Sequence, residues 1–97
     1  MTDQEVNKII ADYMGYPEHF LYSGLGFTAS LDTLTPVWEK LEIKAFEFMI
    51  ENSKYFTYLT LSSGEISKGV SDILEQAASH ATANAILEIE DRCEERA

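Results

Sequence analysis

The sequence predicts an α+β protein, a small antiparallel sheet packed with helices as an α/β sandwich, in a single domain over residues 1–97. Two observations predict this class. Apolar residues recur at helical spacing near the beginning and in the last third of the chain, whereas residues 43–62 are rich in aromatic and β-branched side chains. A chain of 97 residues, 45% of them hydrophobic, is long enough to bury a modest core without metals or disulfides.

The first helix is predicted over Asp3–Met14. Thr2 and Glu5 have the spacing of a capping box, which satisfies backbone donors at a helix start. Gly15 stands at a C-cap position, and Pro17 prevents continuation. One apolar face runs through the helix at i, i+3, i+4 and i+7: Val6, Ile9, Ile10 and Tyr13.

A second helix is predicted from the same spacing at Leu34, Val37, Trp38 and Leu41. Ser30 is a candidate N-cap, with Asp32 in the first turn, where the helix dipole favours an anion. Pro36 lies six positions after Ser30 and lacks the backbone donor that a helix interior uses. We therefore expect the helix to begin late, near Thr33 or Thr35; the alternative is a distorted first turn.

Two strands are predicted next, Ile43–Glu51 and Tyr55–Ser62, joined as an antiparallel hairpin by a polar turn at 52–54. The first run is too apolar on both faces for a half-exposed strand, whereas the second alternates and is rich in Thr and Tyr. Because two strands alone are marginally stable, a third strand or strong helix cover is required. Leu25–Thr28 is the candidate third strand.

The last third of the chain is predicted to be helical from Ser62 or Ser67 to Arg96, but its apolar stripe drifts. Its apolar residues fall into two groups. The first consists of Val70, Ile73, Leu74, Ala77 and Ala81, and the second, Ile86, Ile89 and Cys93, lies about 100° further round the helix. A break near Ser79–Thr82, with Thr82 as a fresh cap, would explain the drift. The alternative is a continuous helix that projects and pairs with another subunit.

Acidic residues outnumber basic ones: the chain has 17 Asp and Glu and 7 Lys and Arg, which gives a net charge of −10. Such a surface repels phosphate backbones and anionic lipid, so direct nucleic-acid and membrane binding are disfavoured. The N-terminal residues MTDQEVNK lack the basic and apolar segments of a signal peptide, and no apolar run approaches a membrane span. We expect a location in the bacterial cytoplasm.

Residues typical of catalysis are sparse. His19 and His80 have no carboxylate or cysteine at the spacing of known metal motifs. Cys93 lies among acidic residues, a setting that discourages a reactive thiolate. The sequence therefore predicts no enzyme activity, no cofactor and no metal site.

Two groups of residues are candidates for binding. The first, the C-terminal carboxylates, is a predicted partner-binding group that either mimics a row of phosphates or is simply a solvated face. It comprises Glu88, Glu90, Asp91, Glu94 and Glu95. The second, the aromatic loop, either binds a ligand or partner or covers one end of the sheet. It comprises Tyr16, Phe20, Tyr22 and Phe27.

Two segments carry a family resemblance. The run NKIIADYMG, Asn7–Gly15, and the pattern of Ser30, Asp32, Leu34, Pro36, Val37, Glu39, Lys40 and Leu41 resemble small phage and prophage proteins of the phage ABA-sandwich-domain type. The resemblance covers roughly the first 42 residues. Leu31 stands where that family often has tryptophan. The resemblance implies an α/β sandwich and a phage origin, and it implies no reaction.

Three hypotheses of function follow. The first is a non-enzymatic phage accessory protein that binds and inhibits a host protein, as an anti-defence inhibitor or through nucleic-acid mimicry. The second is a sponge that sequesters a nucleotide signal at a subunit interface. The third is an oligomeric structural phage protein.

Overall fold

The structure is a computed structural model that describes residues 2–15, 31 and 33–96, the side chains of Asp3 and of residues 91–96 excepted. The predicted α+β class is confirmed within these residues. The predicted third strand at Leu25–Thr28 and the Ser30 cap lie outside them. In chain order the described elements are α1 (Asp3–Met14), α2 (Thr35–Leu41), β1 (Ala45–Glu51), β2 (Lys54–Thr60), β3 (Ile66–Ser71) and α3 (Leu74–Arg96).

Both predicted N-terminal helices are present with the expected ends. The Thr2 hydroxyl accepts a hydrogen bond from the Glu5 backbone N–H at 3.2 Å, and Gly15 closes α1 with φ +75°. Helix α2 begins at Thr35 with Pro36 in its first turn, which confirms the late start. Proline is tolerated there because the first backbone N–H groups of a helix have no intrahelical acceptor.

The predicted hairpin is confirmed, with β1 and β2 antiparallel and Glu51 opposite Lys54. Asn52 and Ser53 alone form the turn, with φ of 51° and 63°. Positive φ at both central residues is typical of a type I′ turn, whose twist matches that of the flanking strands.

A strand is present in a segment that the sequence predicted to be helical. Residues 66–71, predicted to be part of the last helix, form β3, which pairs antiparallel with β2 and makes the sheet order β1-β2-β3. Ser62–Glu65, predicted as a helix cap, is the connecting turn, with a left-handed Gly64 at φ +92°. Long-range pairing with β2 therefore determines the conformation of this segment, against its local helical preference.

Helix α3 is continuous from Leu74 to Arg96, so the predicted break near Ser79–Thr82 is wrong. Its 23 residues span about 34 Å. Thr82 is buried inside the helix, and its hydroxyl donates to the Ala78 carbonyl at 2.8 Å. The apolar stripe drifts because α3 is buried on two adjacent faces. Ala77 and Ala81 meet the sheet, and a second face, with Ala78, Ala85 and Ile86, packs into the core with α1 and α2.

All described helices lie on one side of the sheet. Helix α3 packs on β2 and β3, while α1 and α2 pack against α3. The core cluster draws on α1, α2, α3 and the end of β2: Val6, Ile10, Ala11, Leu34, Val37, Leu41, Leu61, Ala78, Ala83, Ala85 and Ile86. The alanines at positions 77, 78, 81, 83 and 85 of α3 are all buried within the single chain.

Candidate interaction surface

The structure describes two of the five C-terminal carboxylates in full. Glu88 and Glu90 are exposed on α3. Asp91, Glu94 and Glu95 continue the same helix, but their side chains fall outside the described residues, as does the whole aromatic loop. The predicted binding role of both groups stays a prediction.

Glu90 belongs to an acidic neighbourhood around Tyr13. Partial burial and the nearby carboxylates of Glu42 and Glu90 raise the pKa of Tyr13 above its ordinary value. Lys40 donates to the Tyr13 backbone carbonyl at 2.7 Å and stands 4.5 Å from the centre of its ring. The contact joins α2 to the last turn of α1 and places one cation beside two anions.

The side of the sheet that faces away from the helices is here called the open face. Cross-strand partners in a sheet point to the same side, so the register identifies its members. They are Ala45, Glu47, Met49 and Glu51 of β1, Lys54, Phe56, Tyr58 and Thr60 of β2, and Ile66, Lys68 and Val70 of β3.

An apolar row crosses the open face from edge to edge. Met49 lies opposite Phe56, and Phe56 lies opposite Val70. Met49 is 52% exposed and Val70 40% exposed, with half-buried Phe56 between them. Ile66, at 59% exposure, lies on the same face of β3 and is separated from Val70 by Lys68. Contiguous exposed apolar surface of this kind marks interaction sites in folded proteins.

The charges of the open face balance, unlike those of the whole chain. Glu47 and Glu51 carry negative charge, and Lys54 and Lys68 carry positive charge. The Lys68 ammonium stands 5.3 Å from the centre of the Phe56 ring and 6.0 Å from that of Tyr58. A cation at these distances from two rings is attracted to their faces, which holds the Lys68 side chain over the aromatic part of the open face.

A second aromatic group lies on the helix side of β1. Ring centroids are 4.8 Å apart for Trp38 and Phe46, 6.2 Å for Phe46 and Phe48, and 6.4 Å for Phe48 and Tyr55. Trp38 anchors this ladder, because its indole N–H donates to the Thr82 hydroxyl at 2.8 Å. The ladder begins at the core and ends in solvent, where Phe48 is 49% exposed.

A cleft of about 220 Å³ opens between α2 and the start of β1. Its lining residues are Thr35, Trp38, Glu39, Ile43, Lys44, Ala45 and Phe46. Sites for drug-sized ligands usually measure about 300–1,000 Å³, so this cleft is better suited to one inserted side chain.

The described side chains form no cluster of metal ligands and leave no buried polar atom without a partner. Among residues 2–15, 31 and 33–90, no three or more His, Cys, Asp or Glu side chains are grouped to hold a metal ion. Every buried side-chain nitrogen or oxygen atom in this part of the chain has a hydrogen-bond partner. None of the described helices is long and apolar enough to cross a bilayer.

Helices on one side of a three-stranded antiparallel sheet place the described part of the chain in the class of two-layer α/β sandwiches. Comparisons with protein-family models, with curated proteins and with solved structures find no match to this chain.

The sequence already contained a signal for these surfaces. Ile43–Glu51 is apolar on both faces, which conflicts with the exposure expected of an outer strand. The structure places β1 at the sheet edge all the same, with every residue exposed except the half-buried Phe46. Large apolar residues on both sides of an exposed edge strand, here Phe48, Met49 and Ile50, are therefore the sequence signal for this apolar surface.

Proposed function

We propose that this chain is a non-enzymatic, acidic accessory protein of phage type that binds a bacterial host protein through the open face and thereby inhibits it. The observation that carries the proposal is the apolar row of Met49, Phe56 and Val70, which spans the three described strands and is exposed at both ends. The phage context rests on the sequence resemblance of the first 42 residues.

The partner's contact surface is an apolar patch bordered by Lys and Arg. The open face supplies apolar and aromatic area together with two carboxylates and two ammonium groups, so a partner that covers it meets no net charge there. The net charge of −10 supplies a long-range field that attracts a basic protein and disfavours acidic ones.

Glu88 and Glu90, the two described C-terminal carboxylates, add to this field from outside the open face. Glu88 and Glu90 lie on α3, which packs on the opposite side of the sheet. We therefore expect neutralising them to slow association and to reduce its salt dependence, whereas changes at the open face speed dissociation.

The test is a comparison of two variants with the same change of charge. Val70→Lys places an ammonium in the apolar row, whereas Leu87→Lys changes an exposed residue of α3, 36% exposed, on the other side of the sheet. Each tagged protein is used to recover partners from host lysate, and the dissociation constant of the purified partner is then measured at two salt concentrations. Circular dichroism confirms that both variants are folded.

The proposal predicts a basic partner. Val70→Lys should raise its dissociation constant by at least about tenfold, whereas Leu87→Lys should still bind it. Binding should weaken at higher salt. Equal binding by both variants would overturn the role of the open face. Stabilisation by a nucleotide, which adds about 2.7 kcal/mol at 100 times its dissociation constant, would replace the proposal with the nucleotide-sponge hypothesis.

A further inference from the structure

Among the described residues, β1 is an outer strand of the sheet, and no described strand pairs with its second edge. A two-residue hairpin closes on a hydrogen-bonded pair, here Glu51 and Lys54, so alternate residues back from Glu51 direct their N–H and C=O groups toward β2. The residues between them, Phe46, Phe48 and Ile50, direct theirs outward.

Within the described residues, only the carboxylates of Glu47 and Glu51 protect this edge against pairing. The register with β2 runs from Ala45 to Glu51 without a bulge, and the strand contains no proline. Its outward-facing residues also expose large side chains: Phe48 is 49% and Ile50 64% exposed. A regular apolar edge of seven residues is a template for another strand.

We propose that two copies of this chain associate through β1, antiparallel, about a two-fold axis at Phe48. Phe48 then lies opposite Phe48 of the partner subunit, and Phe46 lies opposite Ile50 of the partner subunit. Each of the three outward-facing residues pairs with an outward-facing residue of the other copy. The two β1 strands therefore share six backbone hydrogen bonds, two for each of the three pairs.

The charges of β1 select this register. With the axis at Phe48, Glu47 lies opposite Met49 of the partner subunit, and Glu51 lies opposite Ala45 of the partner subunit. An axis at Glu47 would set two carboxylates directly opposite each other, and an axis at Met49 would set Glu47 opposite Glu51 of the partner subunit. Like charges in that position are destabilising. Axes further along the strand shorten the ladder.

The axis is perpendicular to the sheet, so the helices of both copies lie on the same side. Phe48 and Ile50 then lie on the helix side of the joined sheet, between the helices of one copy and those of the other. In each copy they are beside Tyr55 of the aromatic ladder. Their exposure in the single chain is explained by this second copy. The three described strands of each copy then form one six-stranded sheet, and the two open faces become one continuous surface.

Analytical ultracentrifugation over a concentration series tests the association with charge-matched variants. Phe48→Glu places two carboxylates on the axis, whereas Ile66→Glu adds the same charge at 59% exposure on β3, the opposite edge. We expect a dimer of the unchanged protein that weakens by at least about tenfold in Phe48→Glu and by less than about threefold in Ile66→Glu. Raising the salt concentration strengthens the dimer, because each copy carries −10.

Cross-linking tests the register independently of any loss of stability in those variants. In a Cys93→Ser background, Phe48→Cys places two thiols at a cross-strand pair, about 5.5 Å apart between Cα atoms and within disulfide reach. In Met49→Cys, the two introduced cysteines of the dimer are offset by two residues along the paired strands, which is too far apart for a disulfide. Mild oxidation is expected to link Phe48→Cys alone.

Two results would overturn the inference. One is an unchanged protein that sediments as a monomer at every concentration. The other is a dimer that Ile66→Glu dissolves and Phe48→Glu does not, or that cross-links through Met49→Cys. Partner binding weakens with salt while the dimer strengthens, so the failure of one proposal is distinguishable from the failure of the other.

Discussion

The two faces of the sheet differ in the size of the side chains that they carry. Under α3, the buried residues of β2 and β3 are Leu59 together with Thr57, Ser67 and Gly69, and the last three are small or polar. On the open face, Met49 and Ile66 are large, apolar and more than half exposed. Side-chain volume and backbone hydrogen bonding decide which side carries the helix.

Close approach explains the helix-covered face. The Thr57 hydroxyl lies 2.8 Å from the Ala77 carbonyl and 3.1 Å from the Gly69 carbonyl, and the Ser67 hydroxyl donates to the Ala81 carbonyl at 2.6 Å. Backbone atoms of α3 lie directly against Gly69. A larger residue at these positions would hold the helix away from the sheet, and the hydrogen bonds would be lost.

The largest expected effect is at Gly69. A Cβ there would collide with the Ala77 carbonyl oxygen and lie 2.5 Å from the Ala81 nitrogen, both backbone atoms that cannot move aside. We expect Gly69→Ala to lower the free energy of unfolding by about 3 kcal/mol, measured by urea denaturation.

Gly64→Ala is the control for this prediction. Gly64 has φ +92°, but an added Cβ would meet no atom within 4 Å, so the variant tests backbone conformation without a collision. Its expected cost is about 1–2 kcal/mol. A smaller cost for Gly69→Ala than for Gly64→Ala would contradict close packing of α3 on the sheet.

An intermediate effect is expected at Thr57. Thr57→Val keeps the shape of the side chain but removes the hydroxyl donor beneath α3, and we expect a loss of about 1–2 kcal/mol. Thr60→Val, at a half-buried position of the open face, is the matched control and should change the stability by less than about 0.5 kcal/mol. Equal losses would mean that the two faces do not differ in their hydrogen bonding.

The smallest effect on stability is expected at Val70. Val70→Thr replaces an exposed methyl by a hydroxyl on the open face and should change the free energy of unfolding by less than about 0.5 kcal/mol. Its effect on partner binding should be larger than its effect on folding. Thermal denaturation and binding measured on the same sample separate the two, and a stability loss above about 1 kcal/mol would show that the open face is covered within the single chain.

The fold was predictable where local pattern and tertiary packing agree. Helix α1 has a cap, an apolar stripe and a C-terminal glycine, and the hairpin has alternating strands around a polar turn, so both were predicted with nearly the observed bounds. Strand β3 was missed because its buried positions are Ser67 and Gly69, which no hydrophobic pattern marks.

The same limit applies to α3 and to the candidate surface. A drifting apolar stripe is consistent with a break or with burial on two faces, and only the position of the sheet distinguishes them. For the open face, the sequence shows the alternation of β2 but not which side the helix covers. Glycine and hydroxyl side chains decide that, and their contribution comes from contacts with Ala77 and Ala81 that are distant in sequence.

The hydrogen bond from Trp38 to Thr82 has a practical consequence for experiment. Trp38 is the single tryptophan of the chain, and its indole stacks on Phe46 at the base of the aromatic ladder. Its fluorescence therefore arises from one known position, where a rigid ring reports the polarity around α2 and β1. Any event that dehydrates the edge strand shifts that emission, so the molecule carries its own optical probe without added dye or label.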